Sequence, residues 1–196
     1  MGGGSNLSHL TSEFQATAVD LSEKMLAISS SLNPDVEHLV GDMRSIRLGR
    51  KFNAVLIHDA IAYILTEDDL RMTFETARAH LAPGGVFIIA QEWYSETFPS
   101  IHASHESHSD GRIELTLFEY SHDPDPTDTT IETRFVYFIK EGGQLRVEQD
   151  VHVTGLFPLD TWLALLAESG FETELVPYPV HDDGHEAHLL TSTLIG

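Results

Sequence analysis

The chain of 196 residues contains no cysteine. That absence excludes disulfides and thiolate metal sites, so any metal would need nitrogen or oxygen ligands. Basic residues are scarce as well: 11 Lys and Arg stand against 31 Asp and Glu, for a formal charge of −20. A surface of that sign repels a phosphate backbone, and no Lys/Arg stripe with interleaved aromatics offsets it, which argues against nucleic acid and anionic membranes as partners. A small molecule, cationic or amine-bearing, fits the field better. Long apolar runs are also missing. The stretch 86–90 is typical and holds a handful of residues, far short of the roughly 20 that a membrane-spanning helix needs. The amino terminus, Met1-Gly2-Gly3-Gly4-Ser5-Asn6, lacks the charged and apolar segments of a signal peptide, so the cytoplasm is the expected location.

What is present is an ordinary globular composition, with 41% hydrophobic residues and a length suited to one domain with a sizeable core. The first part of the chain alternates short apolar runs with amphipathic stretches, the rhythm of βαβ units. The pattern predicts helices over 5–13, 22–31 and from Thr66 to about Leu81, and strands over 15–19, 36–40, 52–57 and 86–91. Ser22 is a natural N-cap, and Thr66-Glu67-Asp68-Asp69 resembles a capping box. After Trp93 the rhythm changes. Residues 95–111 are polar and His-rich and read as a loop. Residues 113–120, 131–139 and 145–154 carry β-branched and aromatic residues separated by turn signals, as in an antiparallel meander. A helix over 159–169, closed by Gly170, leads to a final hairpin of 171–176 and 188–194. Three segments follow: βα units over 1–94, an antiparallel insert over 95–157, and a helix with a hairpin over 158–196.

Ligands bind an open α/β sheet at the carboxyl ends of its parallel strands. Three loops there carry useful residues. Gly2-Gly3-Gly4 precedes a helix and lets backbone approach a ligand closely. Asp20 ends a strand, where a carboxylate can accept both hydroxyls of a ribose. Asp42 and Met43 follow the next strand, where the acid can take an adenine amino proton and the methionine can cover the ring.

Gly2-Gly3-Gly4-Ser5-Asn6, the run Val19-Asp20-Leu21-Ser22-Glu23-Lys24-Met25-Leu26, Gly41-Asp42-Met43 and Leu81-Ala82-Pro83-Gly84-Gly85 resemble, in order, successive motifs of the class I S-adenosylmethionine-dependent methyltransferases. The resemblance implies a Rossmann-like α/β fold, S-adenosyl-L-methionine as cofactor and methyl transfer to nitrogen or oxygen of a small-molecule acceptor. It places Gly2, Gly3 and Gly4 at the methionine moiety, Asp20 at the ribose, Asp42 and Met43 at the adenine, and His58 near the methionine end, with Leu21 also among the cofactor-binding residues. Residues 151–157 and 168–171 are similar to small-molecule methyltransferases whose antiparallel strands cover the acceptor, sugar-amine N-methyltransferases among them. Family members carry a hydrophobic first strand ahead of the glycines, and this chain begins inside that signature. The expectation is therefore that the first central strand is missing from the chain, either because the natural protein is longer or because the gap is closed by rearrangement or by another subunit; the first is favoured.

Methyl transfer is an in-line displacement on a sulfonium, so alignment supplies much of the rate and a general base helps the acceptor lose its proton. His152, on the insert, and Asp59, beside the cofactor edge, are the candidates, each with a plain structural alternative. Tyr63 reads better as packing than as pocket lining. His102, His105 and His108, spaced three apart, would share one face of a helix and could bind a metal, as could His181, Asp182, Asp183, His185 and His188; solvated loops are the simpler reading, and no metal is expected. Two rivals remain: a non-catalytic methyltransferase-like binding protein, and a His-cluster metal binder. An exposed sheet edge makes a homodimer plausible.

Overall fold

The structure, a computed structural model, describes residues 3–179 and 186–195. In chain order its elements are α1 (Ser5–Ser8), β1 (Thr17–Asp20), α2 (Glu23–Leu32), β2 (Glu37–Val40), β3 (Phe52–His58), a 3-10 turn (Ala60–Tyr63), α3 (Glu67–His80), β4 (Leu81–Ala90), β5 (Ile101–Ser109), β6 (Ile113–His122), β7 (Thr130–Glu141), β8 (Gln144–Gly155), α4 (Leu159–Glu168), β9 (Phe171–Pro179) and β10 (Glu186–Leu194). They form two compact units, one of Met1–Ile61, Glu67–Glu92 and Asp160–Gly196, the other of Ala62–Thr66 and Trp93–Leu159.

The first unit is the α/β one. β1 pairs with β2 in parallel, and β3 with β4 in parallel; β10 and β9 extend the second sheet antiparallel, in the order β3-β4-β10-β9. Its core follows from helical periodicity. Leu70, Phe74 and Ala77 recur on one face of α3 and are fully buried, with acids in the first turn and Arg78 and His80 in the last, as the helix dipole favours. Phe74 meets Phe87 of β4 edge-on with ring centroids 5.9 Å apart, and Trp162 of α4 at 6.0 Å. Phe87 in turn packs on Phe171 at 5.6 Å. Gly170, at φ +83°, ends α4 as expected.

The second unit is one antiparallel sheet in the order β5-β6-β7-β8. Two expectations change here and at the amino terminus. Residues 101–109 form a strand rather than a loop, paired residue for residue with β6. Backbone bonding to a neighbour needs no apolar pattern, and a His/Ser/Glu edge strand is one that resists further pairing. The first helix stops at Ser8 instead of Glu13, and none of its residues is a buried hydrophobic one. The strand geometry also parts the three histidines: alternation puts His102 and His108 on one face and His105 on the other. No cluster of metal-ligating side chains occurs among the described residues. Gly2, His181, Asp182, Asp183 and His185 lie outside them.

Candidate functional site

In the first unit, β1, β2 and β3 end at Asp20, Val40 and His58, so Asp20 and His58 are the last residues of their strands and Asp42 and Met43 lie in the loop after β2. The glycine turn comes first. Gly4 is buried at φ +84°, and a Cβ there would overlap Ser29 Oγ and come within 2.8 Å of Asn33 Nδ2. Asn33, itself buried, ties this turn to α2 by donating to the Gly4 carbonyl at 3.0 Å and to the Ser29 carbonyl at 3.2 Å. Sequence fixes this locally, because only glycine tolerates both the left-handed backbone and the close approach.

Asp20 is held by the residue that starts α2: its Oδ1 accepts the Ser22 N–H at 2.9 Å, while the Ser22 hydroxyl accepts the Met25 N–H at 3.3 Å as N-cap. The carboxylate is therefore oriented by backbone, and a carboxylate has room for more than one donor. Leu21 beside it is 64% exposed, an unusual place for leucine unless a ligand covers it. Asp42 is engaged differently. Arg44 donates to it from Nε at 3.0 Å and 3.1 Å and from its backbone N–H at 2.9 Å, and closes an ion pair at 2.6 Å. Hydrogen bonding from Arg44 outweighs the small burial effect and holds the Asp42 carboxyl below the usual carboxylate range. Arg44 also bonds Asp69 of α3 at 3.0 Å, and its carbonyl accepts from Thr76, so the β2–β3 connection is clamped to α3. His80 adds a further tie, accepting the Leu48 N–H at Nε2 (2.9 Å) with Nδ1 2.7 Å from the Thr76 carbonyl, which fixes the Nδ1–H tautomer.

At the end of β3, His58 Nδ1 lies 2.8 Å from Asp59 Oδ1. Asp59 has φ +29°, a region few side chains adopt, and such backbone clusters at functional sites. Its side chain is 83% exposed. These groups fit a nucleoside with a charged tail: a backbone-held carboxylate for a diol, a close-approach glycine turn at a helix start, and an exposed apolar side chain next to the carboxylate in the chain.

The second unit brings together a group that sequence spacing did not announce. His152 Nδ1 lies 2.6 Å from the Tyr63 hydroxyl, and His152 Nε2 lies 3.2 Å from Asp150 Oδ2. The Asp150 carboxylate can only accept, so Nε2 carries the proton and Nδ1 accepts from Tyr63. Phe135 meets the imidazole edge-on at 4.9 Å, and the Tyr63 ring lies 5.6 Å from it. The His152 hydrogen bond, with the Val151 N–H second, lowers the Asp150 pKa. Tyr63, expected to be packing, is 52% exposed and belongs to this chain of hydrogen bonds. Asp150 was legible in principle, since residues two apart share a strand face; Tyr63, 89 positions away, was not.

A family model described as a methyltransferase domain matches residues 1–85. A dTDP-3-amino-3,4,6-trideoxy-alpha-D-glucopyranose N,N-dimethyltransferase of Streptomyces venezuelae is 34% identical over 177 residues, covering 88% of this chain and 73% of the relative. A dTDP-3-amino-3,6-dideoxy-alpha-D-glucopyranose N,N-dimethyltransferase of Streptomyces fradiae is 28% identical over 90% of this chain and 69% of its own length. Among solved structures, Streptomyces venezuelae DesVI superposes with a TM-score of 0.88 at 27% identity, covering all of this chain and 80% of that one.

Proposed function

The chain belongs to the class I S-adenosylmethionine-dependent methyltransferases, which transfer a methyl group from that cofactor to a small-molecule acceptor, and on that premise we propose that its acceptor is the amine of a sugar. The observation that carries the proposal is the Tyr63–His152–Asp150 chain, a poised proton acceptor on an aromatic face. The two relatives named for amino-sugar N,N-dimethyltransfer support it.

The cofactor, when bound, supplies an electrophilic methyl group on a sulfonium. The first unit's residues would hold it: Gly2, Gly3 and Gly4 at the amino-acid tail with His58 nearby, Asp20 and Leu21 at the ribose, and Asp42 and Met43 at the adenine. The second unit serves the acceptor. A sugar ammonium has no lone pair, so it must first lose a proton, and the Tyr63 oxygen receives it as Tyr63 passes its own to His152 Nδ1. The imidazolium that forms faces the Asp150 carboxylate, which stabilises it. His152 is assigned the base role over Asp59. Asp59 is largely in water and turned to His58, whereas His152 sits between a donor and a carboxylate. No helix among the described residues is long and apolar enough to cross a membrane. The protein is proposed to work in the cytoplasm as a homodimer, without nucleic-acid or membrane partners.

The test is incubation with S-adenosylmethionine and a nucleotide-linked amino sugar, beside the analogue bearing hydroxyl at the same carbon. Methylation of the amine alone is expected. Methylation of the hydroxyl analogue at a comparable rate, or none of either by a chain that binds cofactor, would overturn the amino-sugar assignment.

A further inference from the structure

The two faces of the antiparallel sheet differ in charge. Residues opposite one another across the ladders share a face, so the registers put Glu106, Glu119, Glu141, Glu148 and Asp150 on the face of His152. Arg146 is the one Lys or Arg of its strands, and Glu148 holds it at 3.0 Å. On the opposite face acids and bases cancel, Glu114 pairing with Lys140 and Glu132 with Arg134. The His152 face therefore gathers cations. Beside His152 its carboxylates stand around aromatic rings. Phe135 lies directly opposite Asp150 of β8 on one side and Glu119 of β6 on the other. Opposed side chains stand about 5 Å apart at Cβ, so a cation resting on the Phe135 ring has a carboxylate on either hand. Tyr137, two residues along the same face, stacks on Phe135 with centroids 6.3 Å apart and an interplanar angle of 27°. Both rings are half-buried. Burial, and after it the charges of Asp150 and Glu119, raises the Tyr137 pKa, so both carboxylates are felt at this ring pair.

We propose that Phe135, with Glu119 and Asp150 beside it, seats a methylated ammonium, so that an acceptor amine already bearing a methyl group is preferred over a primary one. The sugar part of that ligand, though not the seat, rests on the amino-sugar reading above. A primary ammonium is compact and strongly hydrated, and carboxylates alone satisfy it. A methyl group removes one N–H with its water and spreads the charge over C–H surface, which an aromatic face attracts through its quadrupole. Rings alone would equally take an uncharged apolar group; rings between carboxylates select the methylated cation. Glu119 Oε1 accepts the Ser121 hydroxyl at 3.3 Å, and a carboxylate has further lone pairs for the N–H groups that remain. The seat also adjoins the proton acceptor. Phe135 meets the His152 ring edge-on at 4.9 Å, and Asp150 is the carboxylate that holds His152 Nε2.

Calorimetric titration of the full chain tests it, without cofactor so that no turnover intervenes. The titrants are a nucleotide-linked amino sugar, its N-monomethyl counterpart, and choline, which carries a methylated ammonium and no sugar. The N-methyl sugar is expected to bind about tenfold more tightly than the primary amine, and Phe135→Leu to abolish the difference. Phe135→Tyr, which keeps an aromatic face, is expected to retain it. Equal measurable affinity for the two sugars in the unmodified chain, or a preference that survives Phe135→Leu, overturns the proposal. Choline separates the seat from the amino-sugar reading. Choline bound by the unmodified chain and lost in Phe135→Leu supports the seat even when neither sugar binds, a result that counts against the sugar alone. Choline bound as tightly by Phe135→Leu, or ignored together with both sugars, overturns the seat. Should Phe135→Leu lose its circular-dichroism spectrum, Glu119→Gln decides. It is expected to weaken choline and both sugars about tenfold, and unchanged binding overturns the proposal.

Discussion

Gly155, the last residue of β8, sets the position of the segment that carries Tyr63. A Cβ at Gly155 would overlap the carbonyl oxygen of Ile64 and stand 2.7 Å from Phe157 Cε2. The first obstacle is backbone, so no side-chain rotation relieves it, and residues 62–66 must move. Alanine there also lowers the entropy of the unfolded chain, which favours folding by about 0.4–1 kcal/mol. Overpacking against backbone costs about 1–3 kcal/mol, so the clash wins and Gly155→Ala is expected to lose about 1–2 kcal/mol net. For a chain of this size that lowers Tm by roughly 2–8 °C. Moving the 62–66 segment also lengthens the 2.6 Å link from Tyr63 to His152, so kcat is expected to fall at least about tenfold, within the range general-base catalysis contributes. Gly142→Ala is the control: a Cβ there meets nothing within 4 Å, and φ +56° alone makes it unfavourable. It is expected to cost about 1–2 kcal/mol while leaving kcat unchanged. Calorimetric melting with initial-rate kinetics reads both. Gly155→Ala with the melting point and turnover of the unmodified enzyme would refute the reasoning.

Further outcomes are expected elsewhere. His152→Ala and Tyr63→Phe are each expected to lower kcat about 10²–10⁴-fold, and neither to change cofactor affinity, read by steady-state kinetics and calorimetry. Arg44 depresses the Asp42 pKa, so this pair contributes stability that is present above the unfolded carboxylate value near about 4 and is lost as pH falls through the depressed folded value. Arg44→Ala is accordingly expected to be less stable than the unmodified chain at neutral pH, with the two urea-unfolding curves converging in acid. Phe74→Ala, which empties the centre of the Phe87–Trp162 cluster, is expected to cost about 3–5 kcal/mol in the same assay.

The parts of the fold that were legible in the sequence are those whose causes are local. The period of Leu70, Phe74 and Ala77, the Ser22 cap and Gly170 each declare an element within a few residues, and the structure forms those elements. β5 was hidden because its nine residues are held by pairing to β6, which a polar His/Ser sequence does not advertise. The same division runs through the candidate site. Asp20 and His58 close β1 and β3, and Asp42 and Met43 follow the end of β2 within three residues, so their place at the strand ends could be read by position. Arg44's capture of Asp42, two residues away, depends on α3 supplying Asp69 as the second partner and so could not be read from spacing. Tyr63 and His152 meet only because β8 ends beside the 62–66 segment, a long-range fact with no periodic signal.

The most direct test of a methyltransferase with separate cofactor and acceptor residues is calorimetric titration with S-adenosylhomocysteine of the unmodified chain, Asp20→Ala and His152→Ala. Binding with a Kd of about 1–100 µM is expected for the unmodified chain and for His152→Ala, and none for Asp20→Ala. Equal binding by Asp20→Ala, or loss of binding in a folded His152→Ala, would contradict the assignment.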